Sequence, residues 1–137
     1  MSVKFYENAN DDLLKFAVII AKYKGKFVFC KHKSRDTLEV PGWHREIGED
    51  IDETAKRELY EETGAIDFDI TPIGIYSVVG GESETFGKLY FAEIRSLEAE
   101  LHSEIENIVL IDVLPENWTY PTIQPRLIEE AQKRGFI

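Results

Sequence analysis

Between Pro41 and Ala65 the chain reads P-G-W-H-R-E-I-G-E-D-I-D-E-T-A-K-R-E-L-Y-E-E-T-G-A, and this stretch restricts the fold more than any other. A turn containing glycine passes into roughly four turns of helix. At about 3.6 residues per turn, Ile51, Ala55 and Leu59 form a narrow apolar stripe. Glu58, Glu61 and Glu62, spaced i, i+3, i+4, share a neighbouring face, where each carboxylate repels the others at neutral pH. A cation relieves that repulsion. Ligands that are all oxygen suit a hard divalent ion, Mg²⁺ or Mn²⁺, which takes carboxylates, carbonyls and water in preference to imidazole or thiolate. Gly64 then ends the helix as a C′ residue. The competing reading is a solvated Glu-rich face on which Glu53 and Arg57 make an ordinary i,i+4 pair.

The turn upstream favours the first reading. Gly42, five further residues, Gly48 and Glu49, then seven residues to Arg57, Glu58 and Leu59, resemble the signature of the Nudix hydrolases, G-x5-E-x7-R-E-U-x-E-E-x-G-U. Glu49, Arg57, Glu58, Leu59, Glu61, Glu62 and Gly64 all fall in register. Two positions depart. Trp43 stands where the leading glycine falls, with Gly42 just before it, and Ala65 takes the closing aliphatic place. A glycine in a tight turn often serves a backbone angle or a close approach that a bulky side chain resists, so Trp43 is expected to disturb the loop geometry.

The resemblance implies an α/β fold, an α/β/α sandwich with a mixed β-sheet between helices. It implies hydrolysis of a phosphoanhydride, where neutralising phosphoryl charge and placing a water in line dominate. By position, Glu58, Glu61 and Glu62 would ligate one to three Mg²⁺ (or Mn²⁺), with the Gly42 carbonyl completing the shell and Arg57 holding Glu49 by an ion pair. The family adds a downstream carboxylate as ligand or base, for which Glu104 is the first choice and Glu106 the second; Glu58 is the other candidate base. The pieces G-I-Y-S-V-V-G (74–80), Y-F-A-E-I (90–94) and L-P-E-N (114–117) resemble the small bacterial nucleoside triphosphatases of the YtkD type within that family. The leading expectation is cleavage of a nucleoside triphosphate, with an oxidised purine such as 8-oxo-dGTP among the candidates, to monophosphate and pyrophosphate. The alternatives are a nucleoside diphosphate linked to another group, such as a nucleotide sugar, or a nucleotide-binding domain that has lost turnover.

The basic run Lys31, Lys33, Arg35 reads either as solvated loop residues or as the source of a phosphate contact, Arg35 by preference because its fork pairs phosphate oxygens bidentately. Trp43 beside the metal carbonyl, and Trp118 with Tyr120, are expected against the ligand, although large aromatics also serve as packing.

A length of 137 residues fits one domain, 1–137, with a core that needs no disulfide or metal staple. A net charge of −10 opposes binding to nucleic acid or to an anionic membrane, which is led by Lys and Arg. No run is long enough to span a membrane and the start, M-S-V-K-F-Y-E-N, lacks a signal-peptide core, so a cytoplasmic monomer or homodimer acting on a small nucleotide is expected. Cys30, the single cysteine, lies in an apolar run and reads as a buried thiol. His32, His44 and His102 lack zinc spacing and read as loop or surface residues.

In chain order, residues 1–12 read as a polar entry, 16–23 and 26–32 as a hairpin, and 38–40 as a short extended piece. Strand character runs from about 68 to 79 with a break near Pro72 and Gly74, followed by a loop at 80–84 and a strand at 86–94. A further strand falls at 107–111 and a final helix over 122–134, with Ile123, Leu127 and Ala131 on one face.

Overall fold

The computed structural model describes residues 1–98 and 105–137. Its central strand is the apolar run, β2 (Leu14–Tyr23), whose alternate side chains enter two different cores. Ala17, Ile19 and Ala21 point to one, Val18 and Ile20 to the other. A strand covered on both faces has no need of polar alternation, which is why the run is nearly continuous.

Lys24 (φ 51°) and Gly25 (φ 79°) reverse the chain into β3 (Lys26–His32), both in the left-handed region that a tight two-residue hairpin demands. The hairpin pairs only at Lys22–Phe27 and Tyr23–Lys26, and the strands then splay. Residues 38–44 fill the gap. Cys30 and Glu39 exchange backbone hydrogen bonds, the Ile19 N–H donates to Pro41 O, and β4 (Gly42–His44) pairs antiparallel with Phe16–Val18. The Gly-bearing turn is thereby held inside the sheet.

Three further strands, β5 (Ala65–Gly80), β6 (Ser83–Leu97) and β7 (Ile105–Ile111), join β1 (Ser2–Tyr6) to give the order β1-β5-β6-β2-β3-β7. The β2–β6 pair is parallel and the others antiparallel, so the sheet is mixed as expected. Helix α1 (Ile51–Thr63) covers one face through Ile51, Ala55 and Leu59. Helix α2 (Gln124–Lys133) covers the other through Leu127, Ile128 and Ala131.

Three sequence readings change. The polar entry contains β1, an edge strand on Ile75–Val79 that buries Val3. Strand β5 runs unbroken past Pro72, where Ile73 is an extra residue between the pairs Pro72–Tyr90 and Gly74–Leu89. A bulge tolerates a residue without an N–H, and β1 pairs only from Ile75 onward. The loop at 80–84 shrinks to Gly81 and Glu82, because Gly80 already pairs with Ser83.

Candidate active site

Asp50 caps α1 by accepting the Asp52 N–H (3.1 Å), and Gly64, at φ 76°, closes it by donating to Tyr60 O (2.8 Å). With the apolar stripe on the sheet, Glu58 and Glu62 turn inward and are 7% and 8% exposed. The Glu61 side chain stays 46% exposed. The shared acidic face therefore divides into two buried carboxylates and one at the rim.

Gly42 faces them. Its N–H donates to Glu62 Oε1 (2.6 Å), and its φ of 132° disfavours any L side chain. A Cβ there would overlap Ala17 O and sit 2.7 Å from Val18 Cα, both backbone atoms of the central strand. Trp43, by contrast, has an ordinary φ and lies half-exposed on β4, edge-on to Phe16 at 5.9 Å between ring centroids. The expectation that this tryptophan would disturb the loop is corrected, since the close approach falls one residue earlier.

Arg57 grips both oxygens of Glu49, with Nε donating to Oε2 (2.7 Å) and Nη2 to Oε1 (3.0 Å). Its Nη1 donates to Glu58 Oε1 (2.8 Å) and Glu61 Oε2 (3.2 Å), so the pair with Glu53 is replaced by a hub joining loop and helix. Thr54 Oγ1 also donates to Glu49 (2.6 Å), while Arg45 fastens the loop backbone to Asp11 and Leu14. The Arg57 hydrogen bonds hold the Glu49 carboxyl down at about 2. Burial does the reverse at Glu58, raising it despite Arg57, and lifts Glu62 to about 8, helped by the charges of Glu58, Glu39 and Glu61.

Sequence reasoning missed two neighbours. His32 is not a loop residue; it ends β3 with Nε2 3.4 Å from Glu39 Oε2 and 3.8 Å from Glu62 Oε2. Glu39 is 3% exposed and its Oε1 accepts no hydrogen bond, although Arg35 Nη1 lies 3.6 Å away. Glu39 alternates with the apolar Leu38 and Val40, and that isolated charge in an extended segment was the available signal. Cys30 is fully buried, its Sγ donating to Glu62 O (3.6 Å), and burial raises its thiol further from ionisation.

The remaining expected residues separate. Arg35 lies beside Glu39 at the acidic cluster. Trp118 packs edge-on against Phe29 (5.3 Å) in the α2-side core and does not line the neighbouring cavity, whereas Trp43 and Tyr120 do. Glu104 and His102 lie outside the described residues; Glu106 falls in β7, on the strand paired with β3. Among the described residues no three His, Cys, Asp or Glu side chains converge as a ready ligand set, since Arg57 still holds Glu58 and Glu61. The donor chemistry nevertheless fits a hard divalent ion, because the buried groups are carboxylates short of positive charge.

An acidic helix on a splayed mixed sheet, with a glycine turn pressed against its buried glutamates, is the architecture of a Nudix-type hydrolase domain. The chain belongs to that family, whose NUDIX domain model matches residues 13–108. It is 34% identical over 118 residues to the Bacillus subtilis (strain 168) protein named "Putative 8-oxo-dGTP diphosphatase YtkD", covering 85% of this chain and 74% of that one. Among solved structures it resembles the Bacillus subtilis pyrophosphohydrolase BsRppH (TM-score 0.81, 28% identity, 98% of this chain and 92% of that one). A NUDIX hydrolase from Nitrosomonas europaea shares the fold (TM-score 0.71, 19% identity, 88% and 89% covered). The chain is accordingly a hydrolase of a family that generally uses divalent metals. Among the described residues no helix is long and apolar enough to cross a membrane.

Proposed function

We propose that the protein is a Mg²⁺-dependent pyrophosphohydrolase that cleaves a nucleoside triphosphate, 8-oxo-dGTP among its substrates, to monophosphate and pyrophosphate. The observation that carries this reading is the pair of buried carboxylates, Glu58 and Glu62, beside the Gly42 backbone and braced by the Arg57–Glu49 pair. The names of the B. subtilis relatives, a diphosphatase and a pyrophosphohydrolase, support the reaction type.

Glu58, Glu61 and Glu62, with the Gly42 carbonyl, are the groups that would hold Mg²⁺ or Mn²⁺, and Glu104 is a further ligand by family position. A divalent ion bound there neutralises phosphoryl oxygens and makes water a better nucleophile. Arg57 fixes Glu49 to the helix and keeps Glu58 in one orientation. Glu58 is the base we assign to the proton of the attacking water, with Glu104 the second candidate for that role. Water oxygen bonds to phosphorus as the bridging P–O bond breaks, and pyrophosphate leaves with those electrons. Arg35, close to the acidic cluster, meets the phosphate chain. A single buried cysteine and a nucleotide substrate suit the cytoplasm.

The test is product analysis over nucleoside triphosphates, their oxidised forms and nucleoside diphosphate derivatives, with Mg²⁺ and with chelator. Metal-dependent pyrophosphate and monophosphate from a triphosphate supports the reading. Turnover of diphosphate derivatives alone refutes it.

A further inference from the structure

Arg45 lies in the run between Gly42 and Glu49 that the family signature leaves open, and its side chain is fully engaged with main chain. Nε donates to Glu49 O (2.6 Å), Nη1 to Asp11 O (3.0 Å) and Leu14 O (3.3 Å), and Nη2 to Asp11 Oδ2 (3.0 Å). The Asp11 side chain is 61% exposed, which leaves the ion pair little weight beside the three carbonyls. Those carbonyls belong to two stretches of backbone. One is the turn Asp11–Leu13 that enters β2, capped by the Asn10 side chain. The other is the end of the loop, one residue before the Asp50 cap of α1.

The main chain of Arg45 is already fixed, because its N–H donates to Lys15 O (2.7 Å) on β2. Its side chain is therefore not needed to hold its own residue on the sheet. It reaches Glu49 across a span where the chain has left β4, Ile47 is fully exposed and Gly48 turns at φ 80°. From the other side Arg57 takes the Glu49 carboxylate by both oxygens and also donates to His44 O (3.2 Å). Glu49 is thus held by its carbonyl from the entry turn and by its carboxylate from the helix. A guanidinium is planar and rigid, so Nη1 of Arg57, which meets Glu58 and Glu61, moves with the two nitrogens that bind Glu49. A shift of the Glu49 backbone therefore turns the donor presented to those glutamates. Among the described residues, Arg45 donates to none of Glu58, Glu61 and Glu62, and it does not line the cavity beside Gly42.

We propose that Arg45 is a positioning residue for the hydrolysis: by tying the Glu49 carbonyl to the entry turn it sets the angle of Arg57, and through it the placement of Glu58 and Glu61 for the metal. This rests on the metal-dependent hydrolase reading above. The effect falls on metal binding and turnover, while nucleotide affinity is spared because Arg45 stands off the cavity wall. A lysine keeps the charge but offers a single nitrogen, which cannot span Glu49 and the turn as the fork does.

The experiment measures kcat and KM for dGTP at saturating Mg²⁺, and Mn²⁺ affinity by electron paramagnetic resonance, for the wild type, Arg45→Lys, Glu49→Gln and the double variant, each with its melting temperature. Arg45→Lys is expected to lose about tenfold in kcat and in Mn²⁺ affinity, with KM within about twofold of the wild type. In the Glu49→Gln background the same change should cost no more than about twofold, since the carboxylate through which it acts is already gone. A clamp that only stabilised the fold would instead multiply the two losses. Arg45→Gln serves if Arg45→Lys does not fold. Wild-type kcat and Mn²⁺ affinity in a folded variant, or losses that multiply in the double variant, overturn the proposal. A wild type that binds Mn²⁺ but hydrolyses no triphosphate refutes the hydrolase reading, and the Mn²⁺ affinities of the four proteins then decide the positioning role by themselves.

Discussion

Adjacent substitutions at Gly42 and Trp43 separate what the family pattern asks from what the backbone requires. Gly42→Ala places a methyl group at φ 132°, against Ala17 O and 2.7 Å from Val18 Cα. Neither obstacle is a side chain that can swing away. A strained backbone residue costs about 1–3 kcal/mol and an overpacked core position about 1–3 kcal/mol, so a loss of about 2–6 kcal/mol is expected. With 137 residues, an unfolding entropy of about 2.1 cal/mol/K per residue gives about 0.29 kcal/mol/K, hence a melting temperature lower by roughly 7–21 °C. Trp43→Gly removes a half-exposed ring whose aromatic partner is Phe16, and adds backbone freedom in a strand, a loss of about 1–2 kcal/mol. Differential scanning calorimetry of both variants decides the matter. If Gly42→Ala melts with the wild type while Trp43→Gly collapses, the glycine requirement has been placed at the wrong residue.

The Arg57–Glu49 pair has a pH signature. Because the folded Glu49 pKa of about 2 lies below its ordinary 4.5, its stabilisation is full above pH 4.5 and is lost as pH falls through about 2. Urea unfolding should show the deficit of Arg57→Ala widest above pH 4.5 and closing towards pH 2; a deficit that ignores pH would contradict the pairing. Glu62, at about 8 in the metal-free protein, has the opposite sign and contributes stability that is full below pH 4.5 and lost as pH rises through 8. Mg²⁺ binding at pH 7 should therefore release about one proton, read by calorimetry in buffers of different ionisation heat. Cys30, buried with a raised thiol, should react with a thiol reagent only after unfolding, and rapid native labelling would contradict its placement.

Much of the fold was legible because its main elements carry periodic signals. The β2 run, the turn at Lys24–Gly25 and the Ile51–Ala55–Leu59 stripe each state their own conformation. Strand β1 was hidden because five residues with one deeply buried side chain make no pattern, and only β5 completes it. Pro72 suggested a break that a bulge absorbs. In the site, helical spacing gathered Glu58, Glu61 and Glu62, but which of them goes inward depends on how α1 settles on the sheet. His32, Glu39 and Gln124 come from three separate segments that meet only because β2 and β3 splay to admit residues 38–44. Nothing local in the sequence announces that divergence.

Glu62, buried at the turn and tied to Gly42, is the residue on which the proposed metal site depends most directly. The decisive measurement is pyrophosphate release from 8-oxo-dGTP and dGTP by the wild type and Glu62→Gln across a Mg²⁺ titration. This substitution keeps an acceptor for the Gly42 N–H while removing the charge. Wild-type turnover that vanishes with chelator, and a fall of about 100-fold or more in the variant with its melting temperature retained, is the predicted result. Undiminished hydrolysis by Glu62→Gln would contradict the carboxylate metal site, however tightly the nucleotide bound.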